Sequence, residues 1–144
     1  MSTIYVLVGL PASGKTTIAK KMVEKGCKRV NKDDLRAMID FGNYSLEMER
    51  FINAVQEQII WCAIKSRFDI VVDNTNLNPV HIKALKYQAI ALGANIEIRI
   101  VDTPVQECIR RDALRDKSVG EKRINDMYDQ YLELLLELNN ASDN

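Results

Sequence analysis

The chain has 144 residues, 47% hydrophobic and 28% charged, with twenty Lys and Arg balancing twenty Asp and Glu. That length suits one domain with a full core, residues 1–144, and the composition excludes a disordered or low-complexity protein. Balanced charge excludes a global field that gathers nucleic acid nonspecifically, so a polyanionic partner must be held by a local cluster, and no apolar run reaches the length of a membrane span.

Ile4-Tyr5-Val6-Leu7-Val8 is a short apolar, β-rich run, as expected of a strand buried on both faces. It has no basic flank and leads straight into a loop, so it does not read as a signal peptide. Gly9-Leu10-Pro11-Ala12-Ser13-Gly14-Lys15-Thr16 is a complete G-x-x-x-x-G-K-[ST] phosphate loop. Its backbone N–H groups, with the positive end of the following helix, suit a nucleotide β-phosphate. The candidate nucleotide contacts are Gly9, Pro11, Ala12, Ser13, Gly14, Lys15, Thr16 and Thr17. Lys15 would reach the β- and γ-phosphates, and the Thr16 hydroxyl would ligate Mg²⁺. A helix from Thr17 then stops at Gly26. Lys28–Asn31 reads as a brief second strand and Asp33–Asp40 as a short helix.

From Ser45 to about Ser66, Phe51, Val55, Ile59 and Cys62 recur at helical spacing and predict a long amphipathic helix. Phe68–Asp73 reads as a buried strand. Asn78 with Pro79 predicts an N-cap and a first helical position, and the helix runs to Gly93. Ile96–Asp102 is another strand, after which Thr103-Pro104-Val105-Gln106 forms a capping box. A last helix from about Gly120 carries Ile124, Met127, Tyr131, Leu135 and Leu138 on one stripe, which suits either the core or a homodimer contact. Alternating strands and helices imply an α/β fold: a parallel sheet with helices on both faces and ligands at the C-terminal strand edge.

Phosphoryl transfer needs charge neutralisation and a carboxylate to take the acceptor's proton. Asn31-Lys32-Asp33-Asp34-Leu35-Arg36 puts two acids and a guanidinium within one turn, beside the expected γ-phosphate. Asp33 suits a general base and Arg36 an anion clamp; the alternative is a helix cap and a solvated charge. Asp73 closes an apolar strand, where an acid can hold a metal-bound water, or simply end the strand exposed. Asn74-Thr75-Asn76-Leu77-Asn78 is dense in short polar side chains that suit an acceptor pocket or a plain turn. Arg111 and Arg115, four apart on the helix after Thr103, would share a face over the donor phosphates, or else form a solvated face with Asp112 and Asp116. Asp116–Gly120 reads as a lid tip. His81, the sole histidine, reads as a surface or capping residue. Cys27, Cys62 and Cys108 are scattered without C-x-x-C spacing, as in a reducing cytosol rather than a zinc or disulfide site.

Together these segments resemble the 5′-hydroxyl polynucleotide kinases, specifically the kinase domain of bacteriophage and bacterial RNA-repair enzymes. The likeness rests on Gly9-x-Pro11-x-Ser13-Gly14-Lys15-Thr16, Asn31-Lys-Asp33-Asp34-x-Arg36, Thr75-Asn-Leu-Asn-Pro79, and Val101-Asp102-x-Pro104 leading to Arg111 and Arg115. It implies a three-layer P-loop kinase fold with a helical lid. It also implies ATP or another NTP as donor, Mg²⁺ at Thr16 and Asp73, and a 5′-hydroxyl DNA or RNA end as acceptor, in the cytoplasm. By the same resemblance, Lys15 and Thr16 bind donor phosphates and metal, and Asp33 takes the 5′-hydroxyl proton. Arg36 grips the phosphate on the 3′ side, with Arg115 as the lid arginine and Arg111 beside it. Asn74 departs from the pattern, because the family places there an acid that orients the acceptor-binding arginine. No phosphatase segment follows, so 3′-phosphates are expected to be left alone. A kinase of small molecules or nucleosides, and a non-catalytic nucleotide-binding module, are the alternatives.

Overall fold

A computed structural model describes residues 1–142. Four strands, β1 (Thr3–Val8), β2 (Lys28–Val30), β3 (Ile70–Val72) and β4 (Asn95–Ile100), form a parallel sheet in the order β2-β3-β1-β4. Among the described residues, six helices surround it: α1 (Lys15–Glu24), α2 (Lys32–Asp40), α3 (Leu46–Lys65), α4 (Pro79–Leu92), α5 (Val105–Ala113) and α6 (Glu121–Ser142).

The two-residue period of β1 builds both cores. Ile4, Val6 and Val8 join Val30, Ile70 and Val72 on one face, under Ile52 and Ile60 of α3, Leu85 of α4, Cys108 of α5 and Ile124 of α6. Leu7 and Val71 point the other way, onto Ala19 of α1 and Cys27. The expected three layers are present, with one face covered by α1 and the other by residues of the remaining five helices, Leu35 of α2 among them. Val30 pairs with Val72 and Val8 with Ile100, so β2 ends level with β3 and β1 with β4. Gly9, Asn31 and Asp73 therefore leave the sheet at one edge, where a parallel sheet presents its ligands.

Local signals set most boundaries. Asn78 accepts a hydrogen bond from Val80 N with Pro79 opening α4, and Gly93 closes it in a left-handed conformation. Asn31 caps α2 and Ser45 caps α3 through Asp34 N and Met48 N. Four expectations are corrected. The α3 stripe is shifted: Phe51 and Cys62 are exposed, Val55 and Ile59 half-buried, and Ile52, Gln56, Ile60, Ala63 and Ile64 face inward. Thr103 caps nothing; Pro104 is the N-cap of α5, and the Thr103 hydroxyl donates instead to Ser13 O at 2.6 Å. Arg115 lies past the end of α5, so it does not share a helical face with Arg111. The ladder of β3 is limited to three residues, because Phe68 and Asp69 lie before its pairing with β1 and β2 begins.

Candidate active site

The phosphate loop is shaped by close approach. A Cβ on Gly9 would come 2.8 Å from Ser13 Oγ and 3.1 Å from Val101 O, so only glycine lets the loop pass the end of β4. Gly14 sits at φ +102°, a conformation that side chains disfavour. Lys15 opens α1 and is buried, its ammonium donating to Gly9 O at 3.0 Å and Leu10 O at 2.6 Å. Burial pulls its pKa down to about 8, against the opposing pull of Asp73.

Beyond β2, α2 starts with the second chemical group. The loop after β1 and the helix after β2 meet across a cavity of about 540 Å³ that Lys15, Thr16, Asp33, Arg36, Asp73 and Arg115 all line. The Asp33 carboxylate is 88% exposed within this opening and is held by Arg36 Nη1 at 2.7 Å. The exposed-strand-end reading of Asp73 fails, since its side chain is 1% exposed. Its Oδ2 lies 3.4 Å from the Thr16 hydroxyl, which donates to it. A hydroxyl and a carboxylate are the hard oxygen donors Mg²⁺ takes when substrate phosphates and water complete its shell. No group of three or more His, Cys, Asp or Glu among the described residues forms a fuller metal cage. The site therefore fits a magnesium ion that arrives with phosphates. Arg111 also approaches the loop, its Nη1 lying 3.7 Å from where a Gly14 Cβ would stand, and its Nε donates to Glu107. Gly9, Pro11, Ala12 and Ser13 lie in the loop and Thr17 follows in α1, with Pro11 and Ala12 lining the cavity itself.

Several residues outside the sequence reading complete the site. Arg29 of β2 donates to Asp73 Oδ2 at 2.8 Å and to Asp34 Oδ2 at 2.7 Å. An arginine inside a strand beside a strand-end acid was the available signal. Glu49 of α3 accepts from both Nε and Nη2 of Arg36, so the carboxylate paired with that arginine comes from a helix and not from the loop after β3 that carries Asn74. That pairing holds the Glu49 carboxyl below its ordinary range. Asn74 itself accepts from Lys32 N and donates to Gln56 Oε1, joining the start of α2 to α3. Asn76, at φ 52°, donates to Leu7 O and Val72 O and so ties the ends of β1 and β3 together. The Asn-rich run thus works first as a clamp on the sheet edge. His81 is exposed as expected, yet it lines the cavity; lost hydration, then the charge of Lys32, lower its pKa.

The turn from α5 to α6 is anchored by a buried acid. Asp112 accepts from Val119 N and Gly120 N at 2.9 Å each, with Arg115 Nη1 at 3.5 Å. It thereby fixes both the far end of the 114–120 turn and the residue before it. Tyr131 of α6 donates to Asp102 Oδ1 at 3.0 Å, pinning α6 to the chain beyond β4, and burial followed by that bond pushes the phenol up to about 12.

A family model described as an AAA domain matches residues 4–134. A protein of Autographa californica nuclear polyhedrosis virus, named as a bifunctional polynucleotide kinase/RNA ligase, is 24% identical over 91% of this chain and 21% of its own length. The L-seryl-tRNA(Sec) kinase of Methanococcus maripaludis is 24% identical over 89% of this chain and 52% of its own. A chain in a solved structure of the Pnkp1/Rnl/Hen1 RNA repair complex superposes with a TM-score of 0.83 at 25% identity, covering 94% of this chain and 46% of that one. This chain thus spans about half or less of each of these relatives.

Proposed function

The chain belongs to this AAA-domain family, and from that premise we propose that it is a polynucleotide 5′-hydroxyl kinase. It moves the γ-phosphoryl group of ATP, or another NTP, to the 5′-hydroxyl end of DNA or RNA during end repair. The observation that carries the reading is the shared cavity: a carboxylate leaving β2 and a phosphate-loop lysine leaving β1 open onto one space, with Arg36 and Arg115 beside them.

In this reading Asp33 accepts the proton of the 5′-hydroxyl as its oxygen attacks the γ-phosphorus, and the bond to the β-bridging oxygen breaks to release ADP. Arg36 holds Asp33 in place and faces the acceptor. Lys15, Arg111 and Arg115 neutralise charge on the donor, because the transferring phosphoryl spreads negative charge over its oxygens. Thr16 and Asp73 would hold Mg²⁺, which when bound neutralises phosphate charge and orients the donor. The resemblance to a polynucleotide kinase/RNA ligase and to a chain of an RNA repair complex supports a nucleic-acid acceptor. No described helix is long and apolar enough to cross a membrane, and the three free cysteines suit the reducing cytosol proposed as its place of action. We take residues 1–144 as one kinase domain. Self-association through α6 would use the exposed Leu132 and Leu136, since Tyr131 and Leu134 already pack inward.

The test is transfer of labelled γ-phosphate to a 5′-hydroxyl oligonucleotide, set against free nucleosides and sugars. The oligonucleotide should be strongly preferred, and labelling of small acceptors alone would remove the reading. Asp33→Ala should lower kcat by roughly 10²- to 10⁴-fold while leaving ATP affinity intact. The similarity to an L-seryl-tRNA(Sec) kinase favours one second reading, a seryl hydroxyl carried on tRNA, which the same assay with aminoacylated tRNA separates.

A further inference from the structure

Helix α4 is apolar on two sides. Its inner row, Ile82, Leu85 and Ala89, packs into the core. A second row at helical spacing, Val80, Ala84, Tyr87 and Ala91, runs along the opposite side with Ile90 at its border, and all five are exposed. Ile90 is 76% exposed and Val80 69%. A helix that needs one partner turns charge outward, whereas a helix apolar on both sides has a second surface to cover. The charge on this side is basic: Lys83 lies over the Tyr87 ring at 5.9 Å, Lys86 follows one turn later, and α4 holds no acid.

The outer side of α6 is its complement. Ile124, Tyr131 and Leu134 face the core, which leaves Leu132 and Leu136 exposed, bordered by the exposed acids Asp129, Glu133 and Glu137. From Ile124 to Ser142 the helix has no Lys or Arg. Two α6 helices face to face would set acids against acids, and two α4 helices lysines against lysines. Only α4 against α6 matches charge as well as apolar rows. Both helices cover the same face of the sheet with these rows turned away from it, so the match cannot be made within one chain.

Resting on the reading that the chain self-associates through α6, and not on the kinase reading, we propose that α6 docks on α4 of a second copy. Because both rows look away from one face of the sheet, a single two-fold axis lays each α6 on the other protomer's α4. The dimer then holds the same seam twice, Val80, Tyr87 and Ile90 against Leu132 and Leu136, with lysines and acids along its wet edges.

The full chain is followed by sedimentation equilibrium over a range of concentrations. The wild type should reach the mass of a dimer and stop there. Raising salt from about 50 mM to about 500 mM should weaken the dimer by roughly 3- to 10-fold, since the edge charges are screened. Leu136→Asp should weaken it by roughly 100-fold, because a charge would be buried in the seam. Two charge variants identify the surfaces: Lys83→Glu with Lys86→Glu, and Glu133→Lys with Glu137→Lys. Each alone should dimerise more weakly than the wild type. An equal mixture of the two should recover the dimer, since an acidic α4 then meets a basic α6 and a basic α4 an acidic one. That recovery also shows that both variants are folded. A wild type that stays monomeric overturns the self-association reading and this proposal together. A lysine variant as dimeric as the wild type, beside a monomeric Leu136→Asp, overturns α4 as the docking surface and keeps α6. Weakening of both charge variants without recovery on mixing, or a wild-type dimer insensitive to salt, overturns the charge-matched pairing. Masses that climb past the dimer overturn the two-fold arrangement. Phosphoryl transfer enters none of these measurements, so the kinase reading stands or falls separately.

Discussion

Burial around Lys15 sets the charge on the ammonium that would meet the donor in the proposed reaction. With its pKa drawn down to about 8, Lys15 is largely protonated at pH 7 and loses its proton as the solution passes pH 8. ATP affinity should therefore be flat below pH 8 and weaken by up to tenfold per pH unit above it, as read by nucleotide titration; Lys15→Met should bind weakly at every pH. The stability sign follows from proton counting. Between about pH 8 and the ordinary lysine value of 10.5, the unfolded chain holds a proton that the folded one has released. Folding is thus favoured as pH rises through that window. Cys27 and Tyr131, raised to about 11 and about 12 chiefly by burial, act in the opposite direction at higher pH. The difference in urea midpoint between wild type and Lys15→Met isolates the lysine: it should move in favour of the wild type from pH 8 to pH 10.

Among the elements, the turn from α5 to α6 depends on one side chain. Desolvation opposes ionisation of Asp112, but the amides of Val119 and Gly120, with Arg115, outweigh it and hold the carboxyl below its ordinary range. Its contribution is full above the unfolded carboxyl's pKa and fades as pH falls through the lower, folded value. Asp112→Ala leaves two amides without their acceptor and should cost about 1–3 kcal/mol in urea unfolding, with weaker phosphoryl transfer as Arg115 loses its anchor. Element order was legible because strand-like apolar runs, Asn78-Pro79 and Gly93 are local signals. What escaped was set by tertiary contact. The α3 stripe was misjudged because Phe51 and Cys62 share the helical period of Ile52 and its row, and a period alone does not say which of two adjacent apolar rows meets the sheet. Thr103 looked like a cap because the capping pattern is local, whereas its real acceptor, Ser13 O, lies 90 residues away. The phosphate loop and Asp33 could be picked out as a short motif and an acid after a strand. Arg29 left only an indirect signal, an arginine inside a strand, and Glu49 left none, since each takes its role from a partner brought up by another element.

Over the whole molecule, charge balance limits how the proposed nucleic-acid acceptor can be held. With twenty charges of each sign, the surface offers no broad field, and affinity must come from the few cations that reach the cavity. Acceptor binding should therefore depend only weakly on salt: a plot of log affinity against log salt for single strands should have a slope near −0.7 per phosphate engaged, hence about −1 for one or two contacts. Measured with oligonucleotides of increasing length, that slope should stay constant once the first linkage is present. A slope that steepens with length would reveal a longer track than the cavity provides.

The grip of Arg29 on Asp73 has a kinetic corollary. In the proposed reading, a divalent cation arriving alone would compete with a guanidinium already seated on Asp73, the buried carboxylate that Thr16 bonds, whereas one escorted by a triphosphate would bring its own ligands. Nucleotide and ion should accordingly load as a single package, leaving the resting protein indifferent to swings in free magnesium.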